Sequence, residues 1–309
     1  MQKFVEFFTN SLMQAKERKI ILIAGPTASG KTGLALQIAE HYKCPILSVD
    51  SRQCFRELNI GVAKPSEKDL QKIHHYFINS HSIHDEVNAS IFESLALEWV
   101  NEIFKSHRTA VMVGGTGLYI KSFCEGLDEI PAVPESIRRE IEMQYEKLGL
   151  GWLKDQIRES DPVFFEKGEI QNPRRLMRAL EVWMFTGRSL HSFRSSMPKK
   201  RDFKIEKFGI SLSKEILHSN ISHRVDQMMN NGLLQEVKDL LPFRSLNALQ
   251  TVGYSELFSF LDGDYPLEHA VERIKKNTRQ YAKRQLTWFR KDPDICWIEL
   301  TDIEKIIKS

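Results

Sequence analysis

Ile20-Ile-Leu-Ile-Ala-Gly25-Pro-Thr-Ala-Ser-Gly30-Lys31-Thr32 is the stretch whose reading decides the fold. A short β-branched run enters a G-x-x-x-x-G-K-T loop, and Leu34, Ala35, Ile38 and Ala39 follow at helical spacing, so the context is strand, loop, helix. Gly25, Pro26, Thr27, Ala28, Ser29, Gly30, Lys31 and Thr32 then form a phosphate cradle. Glycines let backbone N–H groups turn inward, the helix N-terminus adds positive potential, Lys31 supplies a point charge, and the Thr32 hydroxyl can ligate Mg²⁺. The bland alternative is a Gly-rich turn with no ligand, which the complete motif in these flanks disfavours. Taken alone the loop points to a nucleotide, yet it does not say which phosphate compound it holds or whether a phosphate is transferred.

Working outward, Pro45-Ile-Leu-Ser-Val-Asp50 reads as a second buried parallel strand ending in an acid, with Ser51, Arg52 and Gln53 at its rim. Ligands of an open α/β sheet bind outside the carboxyl ends of the strands, so Asp50 faces the same crevice as the loop. Residues 90–106, with Ile91, Leu95, Leu97, Val100, Ile103 and Phe104 apolar, form an amphipathic helix leading into strand Thr109-Ala-Val-Met-Val113. Gly114-Gly115-Thr116-Gly117 caps that strand, either for close approach of a ligand or as a tight strand-to-helix turn. His74 and His75 are adjacent and point to different sides, which argues against a shared metal. Phe203 to Ser213 alternates as a further strand, a helix starts at Ser213 and carries Arg224, and Asp294-Ile-Cys-Trp-Ile298 is a closing strand. Arg224 is either a surface charge or a bidentate grip on phosphates.

The 309 residues, 41% of them hydrophobic, bury one large domain with an insertion or two moderate domains. Net charge is only +3, so a nucleic-acid surface has to arise from local clustering of the 44 basic residues. The four cysteines, Cys44, Cys54, Cys124 and Cys296, show no C-x-x-C pair, which disfavours zinc and fits free thiols in a reducing, cytoplasmic compartment. Residues 1–19 are expected to form an N-terminal helical extension without the apolar run of a signal peptide. No stretch approaches the roughly 18 apolar residues of a membrane span, and a monomer is the expected state.

Between Pro131 and Arg201 no strand is evident, while charged helical patterns run through 135–148, 151–159 and 173–186. The expected fold is therefore α/β, a P-loop NTPase-like parallel-sheet core over 20–130 and 202–309, with an inserted all-helical domain over 131–201. The third insertion helix opens Asn172-Pro173, an N-cap followed by proline at the first helical position, and carries Arg174, Arg175 and Arg178 against Leu176, Leu180 and Trp183. Such a run is either a solvated face or a polyanion contact. Residues 271–291 carry eight basic residues against one acid, Glu272. Lys276, Arg279, Lys283, Thr287 and Arg290 share one stripe, whereas Ile274, Tyr281 and Trp288 repeat every seven on another, expected to pack. The positive stripe suits a nucleic-acid backbone; Tyr281, Trp288 and Phe289 either stack bases or fill the core.

With these pieces placed, the sequence closely resembles the tRNA dimethylallyltransferase (tRNA isopentenyltransferase) family along essentially its whole length. The residues carrying it are Gly25 to Thr32, Asp50-Ser51 with Asn59-Ile-Gly-Val-Ala-Lys-Pro65, Gly114-Gly-Thr-Gly-Leu-Tyr119, Asn172 to Val182, Gly232-Leu-Leu-x-Glu236-Val, Val252-Gly-Tyr254 and Asn277 to Arg290. The resemblance implies transfer of a dimethylallyl group from dimethylallyl diphosphate to N6 of the adenine just 3′ of the tRNA anticodon, with Mg²⁺ on Thr32. It implies that the cradle binds the donor's diphosphate, that Asp50, Thr27, Lys31 and Arg224 are catalytic, and that Thr116 helps hold the adenine. By the same resemblance tRNA is touched by Asp50, Ser51, Arg52, Gln53 and Thr116, by Arg138, Arg174, Arg175, Leu176, Met177 and Arg178 of the insertion, by Gln250, Gly253 and Tyr254, and by Lys283, Arg284, Gln285, Leu286, Thr287, Trp288, Phe289 and Arg290. The helical insertion then becomes an anticodon-stem-loop clamp.

The chain departs from the family pattern at Arg52-Gln53-Cys54-Phe55 and at Tyr76-Phe77-Ile78-Asn79, and no Cys/His finger follows residue 290. Two rivals compete with the prenyl-transfer reading. A P-loop kinase is weakened because strand 109–113 ends in Gly114-Gly115 and not in an acid. A non-catalytic RNA-binding switch NTPase lacks an Asn-Lys-x-Asp run.

Overall fold

The computed structural model describes residues 18–194 and 197–307. The helix expected over 1–19 falls outside them except for Arg18 and Lys19, and Lys19 opens a strand instead. In chain order the core runs β1 (Lys19–Ala24), α1 (Lys31–Tyr42), β2 (Ile46–Val49), α2 (Glu67–Lys72), β3 (His75–Tyr76), α3 (Ala89–Ser106), β4 (Thr109–Gly114) and α4 (Gly117–Glu125). The helices α5 (Glu135–Ser160), α6 (Pro162–Lys167) and α7 (Pro173–Thr186) follow. The core resumes with β5 (Lys204–Ile210), α8 (Lys214–Asn230), α9 (Leu233–Asp239), α10 (Tyr254–Leu261), α11 (Leu267–Phe289), β6 (Cys296–Ile298) and α12 (Ile303–Ile307).

The six strands form one sheet in the order β3-β2-β4-β1-β5-β6, and every pairing is parallel. Alternation along β1 decides how it is covered. Ile20, Leu22 and Ala24 enter one apolar cluster and Ile21 and Ile23 another, all of them buried. A strand buried on both faces reads as a continuous apolar run because both sides of a parallel sheet carry helices. Leu34, Ala35, Ile38 and Ala39 of α1 complete the second cluster; Phe92, Ala96, Val100, Ile103 and Phe104 of α3 join the first. In α3 the inward positions include Phe92 and Ala96 in place of the expected Ile91 and Leu95, a shift of one residue around the helix.

Register sets the functional edge. Ala24 pairs with Gly114 and with Gly209, and Val49 also pairs with Gly114, so β1, β2, β4 and β5 end at one level. The loops leaving Ala24, Val49 and Gly114 therefore emerge together. A Cβ on Gly114 would lie 2.1 Å from the Val49 carbonyl oxygen, so only glycine permits this approach of β4 to β2.

On α11 the inward residues are Ala270, Ile274, Ala282, Gln285 and Phe289. Tyr281 and Trp288, expected to pack with Ile274, are 36% and 40% exposed. A straight helix drifts about 20° per seven residues, which carries a heptad stripe off the buried face. The positive stripe is also interrupted, because Arg279 is half-buried and its Nη2 donates to Ser222 Oγ at 2.9 Å.

Residues 126–199 form a second compact unit with its own core of Ile141, Leu153, Ile157, Phe164, Leu176, Ala179 and Leu180. Its long helix α5 is broken at Gly149 (φ 74°, ψ −169°), between the two helical patterns that the sequence shows. The Asn172 side chain caps α7 by accepting from the Arg175 N–H, with Pro173 at the first helical position.

Gly114→Ala is expected to destabilise the protein by about 3 kcal/mol, the cost of overpacking against rigid backbone. Gly33→Ala, at an α1 position where a Cβ meets nothing within 4 Å, is expected to be neutral or to stabilise by up to about 1 kcal/mol. Urea unfolding of both variants checks the contrast.

Candidate functional site

The phosphate cradle begins where β1 ends. Ala28 (φ 62°) and Gly30 (φ 83°) turn the loop through the left-handed region, and α1 starts at Lys31 with no side chain capping its first turn. Its leading N–H groups are thus available to an anion. Ser29 Oγ is buried without a partner. Lys31 Nζ donates to the Pro26 carbonyl oxygen at 3.1 Å. Burial, then the neighbouring Arg224 cation, lower the Lys31 ammonium to about 8, with Asp50 pulling it back up. Arg224 on α8 is likewise lowered by burial and supported by Asp50. Two cations and one carboxylate therefore share a partly desolvated space, and a polyanion entering it relieves the repulsion between the cations. Asn220, on the same helix as Arg224, donates from Nδ2 to the Ala28 carbonyl oxygen at 3.2 Å and ties α8 to the cradle.

Asp50 leaves the end of β2, and its Oδ1 accepts from the N–H groups of Arg52 (2.9 Å) and Gln53 (3.4 Å). That turn orients the carboxylate from below. The Thr116 N–H donates to the Val49 carbonyl oxygen at 3.2 Å, and Thr116 Oγ1 accepts from the Ser51 N–H at 3.1 Å, so the β2 and β4 loops are joined. Arg52 is half-buried, lowered by burial and held charged by Tyr119, Asp50, Cys54 and Tyr281, and its Nη2 donates to Asn247 Oδ1 at 3.2 Å. Tyr281 belongs to this neighbourhood too: burial, then the Asp50 charge, push its hydroxyl up to about 12.

Gln285, on α11, closes the site from the C-terminal side. Its Oε1 accepts from the Thr27 N–H at 2.9 Å and its Nε2 donates to the Gly115 carbonyl oxygen at 2.8 Å. The carboxamide is 7% exposed and bridges the cradle to the β4 loop. A Cβ on Gly115 would fall 2.3 Å from Gln285 Nε2, and one on Gly117 2.4 Å from the Trp288 ring. The glycines after β4 thus leave room for the α11 side chains that pack on them, a reason that neither reading of them from sequence contained.

Several residues assigned to tRNA by resemblance are interior. Gln285 and Phe289 face inward on α11, Tyr254 is fully buried behind Gly253, and Leu176 is fully buried in the 126–199 core. Packing withdraws these side chains from water. Gln53 also turns inward: its Nε2 donates to the carbonyl oxygens of Val62 (3.2 Å) and Ala63 (3.1 Å). Met177 and Leu286 are half-buried, and Gln250 is exposed with Nε2 donating to the Arg244 carbonyl oxygen. Outward on α11 stand Lys283, Arg284, Thr287 and Trp288, with Arg290 exposed at its C-cap. Within the 126–199 unit Arg174 and Arg175 are exposed, whereas Arg138 and Arg178 both reach Glu181, at 3.8 and 3.1 Å.

A family profile described as IPP transferase matches residues 53–292. The chain is 46% identical to a tRNA dimethylallyltransferase of Christiangramia forsetii over 93% of its own length and 95% of the relative's. It is 42% identical to one of Flavobacterium johnsoniae, over 93% and 96%. The fold is similar to the full-length tRNA isopentenylpyrophosphate transferase of Bacillus halodurans (TM-score 0.68, 32% identity, 94% of both chains). It is also similar to a eukaryotic dimethylallyltransferase acting on tRNA (TM-score 0.75, 26% identity, 93% of this chain and 75% of that one).

A pH dependence follows from Lys31. Its folded value of about 8 lies below the ordinary 10.5, so its charge in the free protein is lost as pH rises through about 8. Stability of the unliganded protein rises across the window from about 8 to 10.5, where the unfolded chain binds the extra proton. Calorimetric titration with inorganic diphosphate is expected to show wild type binding more tightly than Lys31→Met at pH 7, with the ratio narrowing as pH passes 8; a constant ratio contradicts it.

Proposed function

The chain belongs to the IPP transferase family, enzymes that transfer a dimethylallyl group to tRNA, and from that premise we propose how its site performs the transfer. The donor is dimethylallyl diphosphate and the acceptor is N6 of the adenine 3′ of the anticodon. The observation that carries this reading is the electrostatic grouping of Asp50 with Lys31 and Arg224 beside the cradle. A base lies next to a polyanion site, which is what displacement of a diphosphate by an amine requires.

The N6 lone pair attacks C1 of the allyl group, the C1–O bond breaks, and its electron pair leaves with the diphosphate. Asp50 accepts the N6 proton. Backbone N–H groups of residues 28–32, Lys31 and Arg224 stabilise the charge that develops on the leaving group, the largest contribution in a site of this kind. Thr27, whose N–H is fixed by Gln285, and Thr116, fixed against Ser51, border the reacting groups. The adenine must leave its stack to reach Asp50.

The donor set suits Mg²⁺ carried by the diphosphate. Thr32 offers one hydroxyl in the first turn of α1, and among the described residues no group of three His, Cys, Asp or Glu forms a protein cage. Mg²⁺ is commonly held by one or two protein oxygens with phosphate and water completing the octahedron. Held by the Thr32 hydroxyl, it would supply positive charge against the departing diphosphate.

For tRNA, the exposed Lys283, Arg284 and Arg290 of α11 supply phosphate contacts, as do Arg174 and Arg175 on the 126–199 unit. Trp288 and Tyr281 offer ring surface for stacking. No described helix is long and apolar enough to cross a membrane, and we take the working form to be a cytoplasmic monomer.

Incubation with tRNA and either dimethylallyl-labelled donor or γ-labelled ATP tests the reading: label is expected in tRNA from the allyl donor alone, and ATP turnover without RNA labelling contradicts it. Asp50→Asn keeps an acceptor for the Arg52 and Gln53 N–H groups but removes the base, and is expected to lower turnover by about 10²–10⁴-fold while tRNA affinity stays within about twofold. Lys283→Glu is expected to weaken tRNA binding and flatten its salt dependence by about one phosphate contact; unchanged affinity removes that residue from the RNA face.

A further inference from the structure

Three segments far apart in sequence, Asn59-Ile-Gly61, Gly232 to Glu236 and Val252-Gly-Tyr254, meet at the Glu236 carboxylate. Its Oε2 accepts from the N–H groups of Asn59 (3.1 Å) and Ile60 (2.7 Å). Its Oε1 accepts from the Gly61 N–H at 3.0 Å and from Tyr254 Oη at 2.5 Å. Consecutive amides converging on one anion make a concave nest, here filled by the protein's own carboxylate. Tyr254 is fully buried, and burial followed by the Glu236 charge pushes its hydroxyl well up, which keeps it a donor. A Cβ on Gly61 would lie 2.5 Å from the Tyr254 ring, so the loop lies flush against this pair.

The rest of the loop is held as tightly. Gln53 Nε2 reaches the Val62 and Ala63 carbonyl oxygens, and Lys64 Nζ donates to the Phe55 carbonyl oxygen at 2.6 Å and to Asn79 Oδ1 at 2.5 Å. What this rigid strap borders is a cavity of about 350 Å³, lined on one side by Asn59, Ile60, Ala63 and Lys64 and on the other by Arg224, Gln227, Met228 and Asn231 of α8. Arg224 is the cation that shares its field with Lys31 and Asp50. Glu236 is absent from that lining and acts on it only through the strap.

We infer that Glu236 is a positioning residue for the allylic diphosphate donor: its carboxylate fixes the 59–65 strap as the wall facing Arg224, and so sets the chamber in which the donor's diphosphate meets that arginine. The inference rests on the donor proposed under the preceding heading. Three backbone amides in a loop containing glycine sample many conformations when unanchored, and the ordering cost then falls on donor binding. Charged hydrogen bonds are the strong ones, and three of the four on this carboxylate anchor the strap against that cost, the fourth tying it to Tyr254. A glutamine at 236 cannot accept from all four donors, because its nitrogen would face N–H groups.

The test joins amide hydrogen exchange on the unliganded protein with steady-state kinetics. Wild type is expected to protect the amides of 59–61, and Glu236→Gln to exchange them faster, with KM for dimethylallyl diphosphate raised about tenfold or more. In the same variant kcat stays within about threefold and tRNA affinity within about twofold. Glu236→Asp, which retains the charge, recovers part of the KM, and Tyr254→Phe, which deletes a single hydroxyl, gives a smaller rise with circular dichroism unchanged. Faster exchange at 59–61 with unaltered KM overturns the inference, as does a parallel fall in kcat, tRNA affinity and melting temperature, the signature of a merely structural residue. If Glu236→Gln does not fold, Tyr254→Phe decides by the same criteria. Absence of transfer by wild type overturns the donor assignment itself, while the exchange data still decide whether the carboxylate anchors the strap.

Discussion

The Gln285 carboxamide is hydrogen-bonded on both sides, to the Thr27 N–H of the cradle and the Gly115 carbonyl oxygen after β4. A buried amide that lost either partner would cost about 1–3 kcal/mol, so the bond pair fixes the spacing of the two loops and the docking of α11 together. From that spacing the rest follows. Thr116 is held where its hydroxyl accepts from Ser51, Asp50 emerges beside the β4 loop on the side away from the cradle strand, and α11 presents Lys283, Arg284 and Trp288 outward because its opposite side carries Gln285 and Phe289. One helix thereby both joins the cradle to the β4 loop and supplies a positive outer face.

The charge distribution gives a physical reason for the proposed use of a phosphate cradle in a reaction that transfers no phosphate. In the empty site Lys31 and Arg224 repel each other in partly desolvated surroundings and lean on Asp50 for compensation. In the proposed mechanism a diphosphate takes over that compensation, which strengthens its binding and leaves Asp50 to interact with an incoming amine. The same cations are then in place when the carbon–oxygen bond breaks, with no reorganisation needed at that moment.

Much of this is written locally in the chain. The cradle, the ends of β2 and β4, the Asn172-Pro173 helix start and the Gly149 break all arise from short-range chemistry, where a few adjacent residues dictate the backbone. Long-range pairing is not local. β3 is only His75–Tyr76 and exists because β2 lies beside it. Gln285 sits in a basic helix among residues that suit RNA, and nothing nearby marks it as the inward one; the seven-residue spacing of Ile274, Tyr281 and Trp288 points to the edge of the buried face and not to its centre at Ala282, Gln285 and Phe289. The Glu236 nest is illegible for the same reason, since its donors come from positions 59–61 and 254.

The central claim is that the cradle holds a diphosphate that departs intact as an amine of tRNA replaces it. Its most direct test is stoichiometry: inorganic diphosphate released and N6-(dimethylallyl)adenosine formed, measured in one reaction of purified protein, tRNA, Mg²⁺ and dimethylallyl diphosphate without ATP. One diphosphate per modified nucleoside, with no orthophosphate, is the predicted result. Orthophosphate release, or diphosphate released without matching nucleoside, would contradict it.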